Sequence, residues 1–148
     1  MADLHLEREF KTTAERLFEV ITTQSNVLQW WGHDGMTLPE YQLDFSRTGP
    51  WFSRLVSEDG AVFKMSGQVT KVDPPRSVSF TWGWHDDADA RGAESHVTFT
   101  IDALDGGRAR LTIDHRDLPS DEIAARHEGG WTHGPLARLE RYLATLDV

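Results

Sequence analysis

The feature that most constrains the fold is a run of six strand-like segments that ends in one helical segment. The strand-like segments mostly alternate apolar and polar residues, as half-buried strands do, and they read EYQLDF, PWFSRLVS, AVFKMSGQVTKV, RSVSFTWGW, SHVTFTIDAL and ARLTIDHRD. The separators RTG, EDG, DPP and DGG favour turns between antiparallel neighbours. The sequence therefore predicts an antiparallel meander.

One more strand and two short helices precede this meander. LHLEREF alternates like a strand, and Thr12 with Glu15 forms a capping box for a helix that follows at once. SNVLQWWG reads as a second short helix, capped by Ser25 and ended by Gly32. The last segment, from Pro119 to about Leu146, returns to helical spacing.

Seven antiparallel strands and one long helix can bury both apolar faces only if the twisted sheet wraps around that helix. The prediction is one α+β domain over residues 1–148, in which a curved seven-stranded antiparallel sheet surrounds a long C-terminal helix and two short helices follow strand 1. A strongly curved sheet does not touch a straight helix everywhere. A void is therefore expected at one end.

The segment HEGGWTHGP, in the middle of the last helix, contains residues that destabilise helices. Glycine costs about 1 kcal/mol relative to alanine in a helix interior, and proline costs about 3 kcal/mol. Gly130 and Gly134 either leave space for a pocket beside Trp131 or allow close packing of the helix on the sheet, and the sequence leaves both explanations open. Pro135 predicts a kink near Trp131.

Six tryptophans in 148 residues indicate either a tryptophan-rich core or an aromatic-lined cavity. Alternation along the strands and spacing along the helices assign the inward side chains, although either Trp51 or Phe52 could point inward. The candidate ligand-binding residues are mostly aromatic, and they are Trp30, Met65, Phe80, Trp82, Trp84, Phe99, His115, His127 and Trp131.

Two histidines supply the polar groups of this candidate site. His115 ends a strand whose other inward residues are apolar, so it either contacts a ligand as a neutral imidazole or is a core histidine with its hydrogen bonds satisfied. His127 lies one turn before Trp131. His127 and His133 are six residues apart and diverge by about 120° on a helix, which excludes the zinc motif HExxH. No metal, cofactor or catalytic residue is predicted.

The charge and composition limit the partners. A formal net charge of −9 disfavours binding to nucleic acid or to an anionic membrane. No stretch approaches the ~18 apolar residues of a membrane span, and the N-terminus shows no apolar signal segment. The absence of cysteine fits a reducing cytoplasm. The expected partner is a small hydrophobic ligand, and a homodimer is left open.

Several stretches resemble a known family, and they occur in the family's order: TTAERLFEVIT, LQWWG, GQVTKVDPPRSVSFTWGW, SHVTFTI, ARLTIDH and HEGGWTHGPLARLERYL. They resemble the branch of the START-like (SRPBCC, helix-grip) superfamily named after the activator of the heat-shock-protein-90 ATPase. The resemblance implies a helix-grip fold with a hydrophobic cavity between the sheet and the last helix. His33 stands where the family often has proline, and Gly49-Pro50 replaces a usual Gly-Gly pair, so the shape of the pocket mouth is expected to differ.

The resemblance implies no single chemistry, because members of the superfamily include lipid and hormone carriers as well as polyketide cyclases. The first hypothesis is a binding module for a small hydrophobic or aromatic ligand. The second is an enzyme of the cyclase or hydrolase kind, with His115 or His127 as general acid/base, although the sequence lacks a second convergent ionisable group. A chaperone ATPase as partner has weaker support, because the eukaryotic activator docks through a separate N-terminal domain for which 148 residues leave no room.

Overall fold

The N-terminal part of the chain forms one strand and two short helices. In a computed structural model that describes residues 1–146, the first strand is β1 (Ala2–Phe10), and the helices are α1 (Ala14–Thr22) and α2 (Gln24–Trp30). Both predicted caps were wrong by one or two residues. Thr13 rather than Thr12 caps α1 by accepting from the N–H of Arg16. Thr23 is both the C-cap of α1 and the N-cap of α2, so the N-cap of α2 is Thr23 rather than Ser25.

Six further strands follow, and with β1 they form one seven-stranded antiparallel sheet. Its order is β1-β7-β6-β5-β4-β3-β2, so β1 pairs with the last strand and the other six form the predicted meander. The register shifts at several points, including between Val69 and Lys71 and between Gly83 and His85. Such irregularities bend strands and increase their twist. The strands are β2 (Thr37–Gln42), β3 (Gly49–Val56), β4 (Val62–Asp73), β5 (Ser77–His85), β6 (Arg91–Leu104) and β7 (Arg108–Leu118).

The C-terminal segment forms two helices, α3 (Asp121–His133) and α4 (Pro135–Leu146), where one kinked helix was expected. Gly134 separates them, with φ −107° and ψ −98°. Proline at position 135 has no N–H and disfavours helical geometry in the residue before it, whereas it is well suited to the first position of a new helix. The sequence predicted the breaking residue correctly and underestimated its effect.

The core lies between the sheet and the helices. Trp51 is 1% exposed and donates its indole N–H to the carbonyl oxygen of Thr81, 2.9 Å away, whereas Phe52 is only half-buried. Trp51 is therefore the inward residue of β3. The α+β fold with a curved seven-stranded sheet, C-terminal helical structure and helices after strand 1 is confirmed.

Candidate functional site

A half-open cavity of about 510 Å³ lies between α3, the loop after α2 and the inner face of β3, β4 and β5. Ligand pockets in proteins typically measure roughly 300–1,000 Å³. The sequence predicted a void at one end of the helix without specifying the end, and the cavity lies beside α3.

The loop after α2 forms the first wall. Trp31 is buried and anchors the loop to β3 by donating its indole N–H to Ser53 Oγ at 3.0 Å. An indole fixed in this way presents its apolar face to the cavity without leaving its N–H unpaired. The loop contributes Trp31, Gly32, His33 and Met36.

Two arginines of α4 hold this loop in place. Arg138 donates to the carbonyl oxygen of Trp31 at 2.6 Å, and Arg141 donates to both carboxylate oxygens of Asp34, at 2.6 and 2.7 Å. The hydrogen bond from Arg141 lowers the pKa of Asp34, and the charges of Arg141 and Arg138 act in the same direction. The position of the first wall therefore depends on α4.

Strands β3, β4 and β5 form the second wall. Met65 and Trp82 are almost fully buried, whereas Phe63 is 38% exposed and Trp84 is 40% exposed at the rim. The two exposed aromatic rings extend the apolar surface from the cavity floor to solvent. This wall contains Leu55, Phe63, Met65, Trp82 and Trp84.

Helix α3 forms the third wall. Gly130 within the helix and Gly134 just after it have different structural roles. A Cβ added to Gly130 would meet no atom within 4 Å, so this glycine leaves open space beside Trp131. A Cβ on Gly134 would lie 2.6 Å from the ring of His33, so that glycine allows close packing. Each of the two explanations holds for one glycine. The lining residues here are Ile123, Arg126, His127, Gly130, Trp131 and, at the start of α4, Pro135.

His115 is fully buried behind the cavity wall. The indole N–H of Trp131 donates to His115 Nδ1 at 3.3 Å, so the imidazole proton lies on Nε2, which faces Ser95 Oγ at 2.7 Å. Burial lowers the pKa of His115 to about 3, and the charges of His127 and His96 act in the same direction. His115 is therefore a neutral imidazole that positions Trp131.

His127 also accepts an indole N–H, at the rim of the cavity. Its Nε2 accepts the indole N–H of Trp84 at 3.0 Å, which leaves the proton on Nδ1. Burial lowers the pKa of His127. The rings of His115 and His127 are 4.7 Å apart between centroids and nearly perpendicular. Two neutral histidines thus each accept an indole N–H from a tryptophan of the cavity wall.

Five of the nine predicted site residues line the cavity, namely Met65, Trp82, Trp84, His127 and Trp131. The other four lie in the interior and do not contribute to its lining, and they are Trp30, Phe80, Phe99 and His115. Alternation along a strand or helix predicts which face a side chain is on. It does not predict whether helices α1 and α4 cover that part of the face or leave it open.

The interior positions of those residues have specific partners. Trp30 donates its indole N–H to the carbonyl oxygen of Val20 in α1 at 3.0 Å, which holds the ring against α1. Phe80 stacks on Phe45 with ring centroids 4.8 Å apart, and Phe99 packs edge-on against Phe80. These rings fill the closed end of the space between sheet and helices.

Sequence reasoning missed most of the loop wall. Residues 31–36 have no helical or strand periodicity, so nothing in their spacing assigns a direction to their side chains. The unusual His33 was the one available signal. On β4, the alternation of Phe63 with Met65 could also have identified Phe63 as a rim residue.

Within the described part of the chain, residues 1–146, no group of three or more histidine, aspartate and glutamate side chains is arranged to hold a metal ion. Over the same residues, no helix has the length and apolar character needed to cross a membrane.

Comparison with known proteins agrees with the fold. Residues 11–144 match the family described as Activator of Hsp90 ATPase homolog 1-like protein. The AHSA1 protein from Silicibacter pomeroyi has 53% sequence identity to this chain, and its crystal structure superposes with a TM-score of 0.91. The match covers 97% of this chain and 99% of that one. No curated protein matches the sequence significantly.

Two more distant structures share the fold alone. Protein CV1439 from Chromobacterium violaceum is 19% identical with a TM-score of 0.81, and the match covers 95% of this chain and 96% of that one. Protein Ms6760 from Mycobacterium smegmatis is 20% identical with a TM-score of 0.75, covering 97% of this chain and 89% of that one. The chain belongs to the Activator of Hsp90 ATPase homolog 1-like family, an SRPBCC-type family with the helix-grip fold.

Proposed function

We propose that this protein binds a small hydrophobic or aromatic ligand in the cavity between the sheet and α3. The observation that carries the proposal is the composition of the cavity wall. Four indole rings, one phenyl ring and two methionine side chains surround about 510 Å³, and no aspartate or glutamate from residues 1–146 lines this space. Covering apolar surface of this kind is favourable by roughly 25 cal/mol for each Å² removed from water.

The charges around the cavity also favour a predominantly apolar ligand. Arg126 is the one lining residue with a permanent charge, and its exposed guanidinium already pairs with Glu122 at 2.9 Å. Burial lowers the pKa of both lining histidines, His33 and His127. The interior of the site is therefore uncharged near neutral pH.

The two other hypotheses have no comparable support. The enzyme hypothesis requires His115 or His127 as general acid/base. His115 is fully buried and hydrogen-bonded to Trp131, and no carboxylate from residues 1–146 lines the cavity beside His127. The name of the matched family refers to activation of a chaperone ATPase, and no feature of this cavity bears on such an activity.

Gly130 and Gly129 provide a matched test. Both glycines are in α3, and a Cβ at either position meets no atom within 4 Å, but only Gly130 lines the cavity. Leucine at either position improves helix propensity by a similar amount. We expect Gly130→Leu to fill part of the cavity and Gly129→Leu to leave it unchanged.

The measurement is a fluorescence titration with N-phenylnaphthylamine, an uncharged aromatic probe whose emission rises in apolar surroundings. Wild type and Gly129→Leu should bind it equally, and Gly130→Leu should bind it about tenfold more weakly, which corresponds to about 1.4 kcal/mol. The proposal fails if the wild type binds no probe, or if both leucine variants bind as tightly as wild type.

A further inference from the structure

The indole N–H groups of this protein follow a pattern with one exception. Five of the six tryptophans donate to an acceptor 2.9 to 3.3 Å away. The sixth, Trp82, has no acceptor for its Nε1 among residues 1–146, although the side chain is buried. A buried donor without a partner costs about 1–3 kcal/mol. The exception therefore calls for a specific explanation.

The tryptophan with the unpaired donor lies at the boundary between the core and the cavity. Trp82 is a lining residue, and its ring centroid is 5.5 Å from that of Trp131, 5.7 Å from that of Trp84 and 5.9 Å from that of His127. These three rings also line the cavity, whereas the ring of Trp51, at 5.4 Å, lies in the core. A ligand held among these rings would lie next to the indole of Trp82.

The polar side chain next to Trp82, that of His127, has a free donor and no free acceptor. His127 Nε2 is occupied by Trp84, so the free ring nitrogen, Nδ1, carries a proton, and it makes no side-chain hydrogen bond among the described residues. Trp131 and Trp31 already use their N–H groups. The site thus offers hydrogen-bond donors and apolar rings to a ligand.

We propose, building on the ligand-binding function above, that the ligand is an uncharged planar aromatic compound with a carbonyl-type oxygen that accepts a hydrogen bond from Trp82 Nε1. The aromatic body lies against Trp131 and Trp31, and His127 Nδ1 is a second donor for the same end of the ligand.

The charge of the ligand follows from what the wall lacks. An ammonium group would find aromatic faces but no carboxylate, and it would leave the Trp82 donor unpaired. A carboxylate would lose its hydration and gain only uncharged donors near Trp82, because Arg126 is exposed at the rim and paired with Glu122. A neutral carbonyl has the smallest desolvation cost of the three.

The oxygen reaches Trp82 after a small rearrangement. Trp82 Nε1 has almost no exposed surface in this structure, so one neighbouring ring must turn aside. Trp84 is the most exposed of the neighbouring rings, at 40%, so we assign the movement to a tilt of Trp84 that keeps its hydrogen bond to His127. The oxygen of the bound ligand then supplies the acceptor that Trp82 Nε1 lacks.

Four naphthalene derivatives test this inference by isothermal titration: naphthalene, methyl naphthyl ketone, naphthoate and naphthylmethylammonium. We expect the ketone to bind about tenfold more tightly than naphthalene, the effect of one well-formed hydrogen bond. Trp82→Phe keeps an aromatic ring and removes the N–H, so the two uncharged compounds should then bind equally. Trp31→Phe is the control, because the N–H of Trp31 is already donated to Ser53, and it should retain the preference.

The outcomes separate this inference from the proposed function. If no derivative binds, both are overturned. If naphthalene binds as tightly as the ketone, or if the naphthoate or the ammonium compound binds most tightly, the cavity binds ligands and the inference about ligand chemistry is wrong. Persistence of the ketone preference in Trp82→Phe also overturns it.

A second readout avoids the variant altogether, in case Trp82→Phe does not fold. In the NMR spectrum of the wild type, saturating ketone should move the indole N–H signal of Trp82 downfield relative to saturating naphthalene. The signal of Trp30, which lies in the core and donates to the carbonyl oxygen of Val20, should not move. An unchanged Trp82 signal would contradict the inference.

Discussion

At the scale of single residues, His115 links the hydrophobic core to the cavity wall. It is fully buried, accepts from Trp131 on one ring nitrogen and donates to Ser95 on the other. Protonation would place a second N–H opposite that of Trp131 and would bury an unpaired charge. The orientation of Trp131, and with it one side of the cavity, thus depends on a neutral imidazole.

This dependence predicts how stability varies with pH. The pKa of His115 is about 3 in the folded protein, whereas an unfolded histidine has a pKa of about 6.5. Between these values the unfolded chain binds more protons, so the free energy of unfolding falls as the pH drops, by up to about 1.4 kcal/mol per pH unit. His115→Gln keeps polar atoms at this position without titrating and should remove this contribution.

The measurement is urea unfolding at several pH values from about 7 down to about 5, above the range where most carboxylates titrate. We expect a smaller slope of unfolding free energy against pH for His115→Gln than for wild type. Equal slopes in His115→Gln and wild type would show that His115 is not held neutral by the fold.

At the scale of secondary-structure elements, the break between α3 and α4 divides the C-terminal segment by role. Helix α3 contributes the cavity residues His127, Gly130 and Trp131. Helix α4 contributes buried leucines to the core and the two arginines that hold the loop after α2. Gly134 and Pro135 set the position of both functions relative to the sheet.

The close approach of Gly134 to His33 predicts that a larger residue at position 134 destabilises the fold. Gly134→Ala places a methyl group 2.6 Å from the His33 ring, so we expect a loss of about 1–3 kcal/mol in the free energy of unfolding. Gly129→Ala meets no neighbouring atom and should instead stabilise by up to about 1 kcal/mol. Urea unfolding of both variants measures the two effects.

The double variant His33→Ala with Gly134→Ala isolates the cause. If the methyl group acts through the His33 ring, the cost of Gly134→Ala should be largely absent in the His33→Ala background, which appears as a coupling energy in a double-mutant cycle. Additive effects would contradict this explanation and would place the cost in the backbone at Gly134.

Regular strands could be predicted from the sequence, whereas the aperiodic loop of the site could not. Turn residues and alternation predicted the meander, and Trp82 and Met65 were assigned to the inner face correctly because each belongs to a regular strand. The loop that carries Trp31 and His33 has no period, so its contribution to the site was not predicted. The unpaired N–H of Trp82 depends on the packing of several rings and has no sequence signal at all.

At the scale of the whole molecule, the space between sheet and helices is filled at one end and hollow at the other. Leu136, Leu139 and Leu143 of α4 pack with the aromatic core at the filled end. At the hollow end, α3 carries a glycine where a larger side chain would close the space. The curved sheet and the break between α3 and α4 together leave a cavity that is backed by the packed core.

The methionines allow the central claim, that this cavity binds a small aromatic ligand, to be tested in the unmodified protein. The chain has three, of which Met36 and Met65 line the cavity on two different walls, while Met1 is 93% exposed. Labelling all three methyl groups and titrating with methyl naphthyl ketone under NMR observation gives two reporters and an internal control. If the cavity binds the ketone, the Met36 and Met65 signals should shift in a saturable way and the Met1 signal should stay unchanged. Unmoved Met36 and Met65 signals, or equal shifts of all three, would contradict the central claim.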